Sequence, residues 1–219
     1  MNKCNFEIAQ LLNRKKQEQG IKIDLGGGGN PQPGFINLDL RDLPTVDIVH
    51  NLELFPWPLP DECASLVMAS HLLEHINPAP PDARLPALVR LLLKKKIFTE
   101  KELQSFIGEL EPGPLFLRFM NEVWRILRPG GQLMAALPYA GSGGMNQDPS
   151  HVNPCNEATW AYFDPLEAGG YLYRVYEPAP FKVTMSAFHP NGNIEVVLRK
   201  RLDDVSYHVN GKLKYGKGI

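Results

Sequence analysis

Residues 21–40 read IKIDLGGGGNPQPGFINLDL. Two short apolar runs, Ile21–Leu25 and Phe35–Asp39, flank a loop that opens with four consecutive glycines, Gly26–Gly29. Runs of this length, rich in Ile and Leu and bounded by Gly and Pro, predict buried strands. Glycine at the carboxyl end of a strand lets backbone approach a ligand closely, because no Cβ intervenes. Open parallel sheets bind ligands outside those carboxyl ends. Two phosphate-binding readings fail on the residues themselves. A phosphate loop needs Gly-Lys-Ser or Gly-Lys-Thr, and this loop has neither. A dinucleotide fingerprint needs a third glycine opening a helix. Gly26 and Gly28 fit it, but Pro31 holds the third position. The turn suits a ligand without phosphates, or serves only as a tight turn.

Outward from this stretch, strands and helices alternate. Phe6, Ile8, Leu11 and Leu12 recur at helical spacing and predict an amphipathic helix over 5–18. Val46–His50 reads as a third strand. Ser65–Ala69 reads as a fourth, followed by a helical start through Leu72, Leu73 and Ile76. Leu115–Leu127 is helical by the spacing of Leu115, Phe119, Val123 and Ile126. Arg128-Pro129-Gly130-Gly131 should end it. Gln132–Leu137 is a fifth strand. Phe181–Phe188 and Ile194–Lys200 flank Asn191-Gly192-Asn193, a strong hairpin signal. A terminal hairpin is expected over 205–219, around Asn210-Gly211. The order implies an α/β fold in a single domain, 1–219, with a mostly parallel sheet and an antiparallel edge.

The connections around the second strand are too short for a crossover helix, which needs about a dozen residues. They should be loops or single turns. Residues 77–114 go the other way and read as an insertion with helical segments Leu85–Phe98 and Glu100–Leu110. It suits a substrate lid or an oligomer contact, possible homodimer included. Lys94-Lys95-Lys96 within it reads as a solvated face.

Composition narrows the function. The 219 residues carry 23 basic and 24 acidic side chains, a net charge of −1. That balance argues against bulk binding to nucleic acid or an anionic membrane. Cys4, Cys63 and Cys155 form no CxxC pair, so neither a disulfide framework nor a cysteine zinc site is implied. A reducing, cytoplasmic setting fits. The amino-terminal residues lack the apolar stretch of a signal peptide.

Three strings in order carry a family resemblance: IDLGGGGNPQPGFINLDL, then VDIVHNLELFPWPLPDECASLVMASHLLEHI, then VWRILRPGGQLMAALP. Together they resemble the motifs of class I S-adenosylmethionine-dependent methyltransferases, over residues 21–76 and 115–200. The likeness is nearest to small bacterial or phage enzymes with a shortened first crossover. It implies a Rossmann-like sheet with helices on both faces and S-adenosylmethionine as cofactor. It implies that Asp24, Gly26, Gly27 and Gly28 form the floor under the methionine end of the cofactor. Asp39, with Leu40, would meet the ribose hydroxyls, and Asn51 and Leu52 the adenine. Ser70 and His71 would line the sulfonium side. A carboxylate can accept from two adjacent hydroxyls, which gives Asp39 a physical reason to be acidic. Gly27 stands where a small residue or Cys is commoner, a change expected to be harmless.

His71-Leu72-Leu73-Glu74-His75 spells HxxEH. On a helix, His71 and His75 would share a face and could hold a metal. Its place after a sheet strand argues against a protease; in the family resembled, Glu74 and His75 at this place more often hold loop and helix together, and no metal is expected. Asp148-Pro149-Ser150-His151 follows the glycine-rich stretch 141–144, whose glycines would let the loop move as a gate. In the family resembled, such a segment reaches over the active site, with aromatics such as Trp160, Tyr162 and Phe163 packed behind it. An imidazole changes charge near neutral pH, so His151 is the first candidate base. His71, Asp148 and Tyr139 stand behind it. Asp148 and His151 could equally pin the loop to each other. The expected activity is O- or N-methyl transfer to a small-molecule or saccharide-like acceptor. The alternative is a non-catalytic subunit of the same fold that binds a partner.

Overall fold

Ile21–Leu25 (β1) and Ile36–Asp39 (β2) pair in parallel, with Ile23 opposite Ile36 and Leu25 opposite Leu38. All four of these apolar side chains are fully buried. A near-continuous apolar run is what a strand covered on both faces requires. The computed structural model describes residues 3–18, 20–77, 99, 114–166, 178–201, 206–209 and 212–215.

The remaining strands are Ile48–Val49 (β3), Ala64–Ser70 (β4), Leu127–Pro138 (β5), Phe181–Phe188 (β6) and Asn193–Lys200 (β7). They complete a seven-stranded sheet in the order β3-β2-β1-β4-β5-β7-β6. β1 to β5 run parallel, while β7 is antiparallel to both β5 and β6. The fold is therefore a mostly parallel α/β sheet with an antiparallel carboxyl-terminal edge, as the sequence implies. Ser206–Val209 (β8) and Lys212–Tyr215 (β9) pair antiparallel in a separate two-stranded ribbon. The connections from β1 to β2 and from β2 to β3 contain no helix.

Helix α1 (Lys3–Glu18) buries Ile8 and Leu12. Helix α2 (Leu115–Ile126) buries Phe119, Met120, Val123 and Ile126, residues spaced three or four apart that make one apolar face. Each such buried aliphatic or aromatic residue contributes about 1.5–3 kcal/mol by its removal from water. Two one-turn helices follow β5: α3 (Gly143–Asn146) and α4 (Glu157–Ala161). Asn156 and Thr159 cap α4 reciprocally, Oδ1 of Asn156 accepting from Thr159 N and Oγ1 of Thr159 from Asn156 N.

Two expected element boundaries are corrected. The helical start after β4 is only a 3-10 turn, Leu73–His75. His71 has φ +51, which breaks the right-handed path, and Ile76 is already extended. Asn77-Pro78 follows, and a residue before proline disfavours the helical region. The second helix does end just ahead of Arg128–Gly131, but the fifth strand begins before Gln132. The chain turns extended at Leu127, where β5 begins directly. Ala64 pairs with Leu127 and Leu66 with Gln132, so residues 128–131 bulge out of the ladder. Gly130, at φ +69, makes the bulge possible.

The expected helices Leu85–Phe98 and Glu100–Leu110, with Lys94–Lys96, lie outside the described residues. Among the described residues no helix is long and apolar enough to cross a membrane.

Candidate active site

Chain order reverses between β1 and β4: β2 and β3 lie on one side of β1, β4 and β5 on the other. Such a switch point opens a crevice at the carboxyl ends of the strands. Every residue that the resemblance assigns to the cofactor lies at or just beyond one of those ends.

The glycine turn is clamped to β2 and the loop after it by backbone and side-chain bonds. Gly26 N donates to Leu38 O at 2.8 Å and Gly28 N donates to Asp39 Oδ2 at 3.0 Å. Asn37 Nδ2 donates to Gly28 O at 2.9 Å, and Thr45 Oγ1 donates to the same carbonyl at 2.8 Å. Asp24 Oδ2 accepts from Gln32 N at 2.7 Å, which closes the loop from below. Gly26 and Gly28 have φ of +69 and +56. Gly27 has ordinary φ, yet glycine is required there on other grounds. A Cβ would stand 2.7 Å from Asn37 Oδ1 and 2.8 Å from Asp24 Oδ2. Two buried polar side chains fill the space a side chain would need.

Asp24 and Asp39 are buried but titrate in opposite directions. Burial pushes the Asp24 carboxyl up, with only the Gln32 N–H pulling against it. Burial also opposes charge on Asp39. The bonds from Arg41 and from Gly28 N outweigh it and hold that carboxyl below the usual range. Arg41 Nε lies 3.1 Å from Asp39 Oδ1, and its guanidinium lies over Gly28, where a Cβ would collide with it. Leu40 is exposed. Asn51 Oδ1 accepts from Glu53 N at 3.0 Å, and Leu52 is a core side chain whose carbonyl accepts from Trp57 Nε1.

Beyond β4 the chain builds a second cluster. Ser70 and His71 are exposed, and Leu72 packs against Gly26. Glu74 is fully buried. His71 Nδ1 lies 3.3 Å from Glu74 Oε1, and His71 Nε2 lies 3.4 Å from Asn193 Nδ2. His71 and His75 do not share a helical face. His75 instead meets His151, with ring centroids 4.7 Å apart. The Asp148–His151 turn docks here because Val152 N and Asn153 N donate to Glu74 O at 2.9 and 3.0 Å. Ser150 Oγ donates to Asp148 Oδ1 at 2.6 Å, and His151 Nε2 lies 3.7 Å from Asp148 Oδ2. Those Ser150 bonds hold the Asp148 carboxyl below the usual range.

The glycine stretch 141–144 leads into α3, capped by Ser142 Oγ accepting from Met145 N. Tyr139 donates its hydroxyl proton to Glu157 Oε2 at 3.0 Å, which raises its pKa. Its hydroxyl is separate in its bonding from the imidazoles. Sequence reasoning missed Asn37, Thr45, Arg41 and Ser150. Asn37 carries the one legible signal, a polar residue two before Asp39 inside an apolar strand.

A cavity of about 370 Å³ sits at the opposite edge of the sheet, lined by Leu12, Ile21, Cys63, Ser65 and Arg128 among others. Burial pushes the Cys63 thiol there up to about 11, so it is not an activated nucleophile.

No family model matches the chain, and no curated protein matches it. Solved structures do. A Burkholderia thailandensis 1,6-didemethyltoxoflavin-N1-methyltransferase with S-adenosylhomocysteine is similar at 12% identity and TM-score 0.46, over 90% of this chain and 78% of that one. A 16S rRNA adenine-N1-methyltransferase from Catenulisporales acidiphilia with SAM is similar at 12% and 0.45, over 87% and 90%. A SAM-dependent methyltransferase from Aquifex aeolicus is similar at 13% and 0.42, over 90% and 93%.

Proposed function

We propose that the protein is an S-adenosylmethionine-dependent methyltransferase acting on a small-molecule or saccharide-like acceptor. The observation that carries this reading is the turn Gly26–Gly28 beside Asp39 at the switch point, with no helix after it. Without a helix N-terminus the turn lacks the usual device for a pyrophosphate. A carboxylate at the end of β2 suits a ribose diol. The cradle fits the cofactor: Gly27 admits no Cβ, and Asp39 stays ionised.

When bound, S-adenosylmethionine supplies the sulfonium methyl group. Gly26–Gly28 would present backbone to it, and Asp39 would accept from the ribose hydroxyls beside Arg41, which is more than half exposed. Asn51 and Leu52 provide backbone and edge contacts beside the adenine. Ser70 and His71 border the acceptor side. Positioning the two reactants in line is the main work of such a site. Acceptor protons leave to the imidazole cluster, His151 first in the metal-free protein. The near-neutral net charge supports a small acceptor over nucleic acid.

Calorimetric titration with S-adenosylmethionine and S-adenosylhomocysteine tests the reading, with NADH as control. Micromolar binding of both sulfur compounds, lost in Asp39→Ala, is expected. Binding of NADH alone, or of none of the three, overturns it.

A further inference from the structure

We propose that Glu74, His75 and His151 form a binding site for a divalent transition metal. Three observations converge on it. One ligand atom from each residue lies within 4.8 Å of the others. Glu74 is fully buried, and neither carboxylate oxygen has a hydrogen-bond partner among the described residues. The His71 ring, 3.3 Å from Oε1, is the near polar group on that side. A buried carboxylate in this state is costly unless a cation joins it.

The third observation is the orientation of the two imidazoles. His151 Nδ1 lies 3.1 Å from Gly144 O. A carbonyl only accepts, so Nδ1 carries the proton and the lone pair sits on Nε2. Ser150 Oγ has its proton on Asp148, so toward His75 Nδ1, at 3.2 Å, it acts as acceptor. His75 is then also protonated on Nδ1, with its lone pair on Nε2. Metal-binding histidines are commonly set this way, the outer nitrogen donating to a carbonyl or a carboxylate-linked group. Asp148 adds negative charge beside His151.

Two imidazoles and one carboxylate suit zinc or iron(II) rather than magnesium or calcium. Three protein ligands leave a coordination position open. That position suits the oxygen of a hydroxyl acceptor, whose proton the ion makes easier to lose to bulk water. This use rests on the methyltransferase reading, and His151 then serves as ligand rather than base. The metal site itself does not depend on that reading.

The test is titration of the full chain with Co²⁺, read by its visible d–d absorption and by zinc competition. One equivalent should bind. Glu74→Gln, His75→Ala and His151→Ala should each weaken binding about 100-fold, and Ser150→Ala about tenfold through lost orientation. His50→Ala, outside the cluster, should bind as wild type. Far-UV circular dichroism checks folding, and Ser150→Ala decides if a ligand variant fails to fold. No stoichiometric cobalt spectrum, or one unmoved by Ser150→Ala and the folded ligand variants, overturns the proposal. S-adenosylmethionine affinity is measured separately on the same samples, so failure of the metal site and failure of the cofactor reading are told apart.

Discussion

The two edges of the parallel sheet differ in whether their buried polar groups all find partners within the chain. At the amino-terminal edge the buried charges of Glu122 and Lys200 are both answered. Glu122 accepts from Trp57 N at 2.6 Å and from Arg125 through both carboxylate oxygens. Arg125 also donates to Leu59 O and Asp61. Lys200 donates to Leu127 O at 2.7 Å and to Glu62, and its ammonium stands 3.8 Å from the Trp124 ring centre. At the carboxyl-terminal edge the Glu74 carboxylate and Asn37 Oδ1 are buried without hydrogen-bond partners among the described residues. The first arrangement joins α2 to the loop before β4, and that loop to β5 and β7. The second keeps acceptor atoms available at the switch point. Buried polar groups that stabilise and those held ready for a ligand differ in whether their partners are already present.

Paired substitutions sharpen that contrast. Glu122→Ala leaves Arg125 and Trp57 N without their acceptor and should cost about 3 kcal/mol, read by denaturant unfolding. Cofactor affinity should be nearly unchanged. Gly27→Ala forces a Cβ against Asn37 and Asp24 and should cost about 2 kcal/mol. Here calorimetry should also show cofactor binding falling at least tenfold, because the turn itself must shift. Glu74→Gln is the mirror of Glu122→Ala. With no hydrogen bond to its carboxylate among the described residues, the change should leave the stability of metal-free protein within about 1 kcal/mol, read as the thermal midpoint. A loss as large as that for Glu122→Ala would break the contrast between the edges.

The smallest effect concerns acid. The Asp39 carboxyl titrates below its ordinary range in the folded chain. Its contribution to stability is complete above the unfolded value, about 3.9. It is lost as pH falls through the lower folded value. Asp39→Asn should remove that part of the acid dependence. Arg41→Ala should move the carboxyl back toward its ordinary value and leave the neutral thermal midpoint within about 2 °C. Acid unfolding curves of the three proteins check the order.

Much of the sheet was legible in the chain. Ile21–Leu25 and Ile36–Asp39 are strands because short apolar runs between Gly and Pro have few other ways to be buried. The missing crossover helices followed from spacing alone. Asn191-Gly192 announced the β6–β7 hairpin by local turn chemistry. The helical reading of Leu72–Ile76 failed because its periodicity is shared by any buried segment. The positive φ of His71 and the proline at 78 then decided the path. The capped turn at Gly143–Asn146 was hidden for a similar reason: its glycines permit many conformations, and the Ser142 cap selects one.

What the sequence determined by itself was the local grammar: strand, glycine turn, acid at the end of β2, and the order of elements. These depend on propensity and hydrophobic period, which act between near neighbours. Only the tertiary structure decided that His75 meets His151 across 76 positions of chain and not His71. It alone decided that Asn37 and Asp24 exclude any side chain at 27, and that the Glu74 carboxylate is buried without a hydrogen bond among the described residues. Those facts depend on which strand ends the sheet order brings together, and contacts between distant segments leave no period in the sequence.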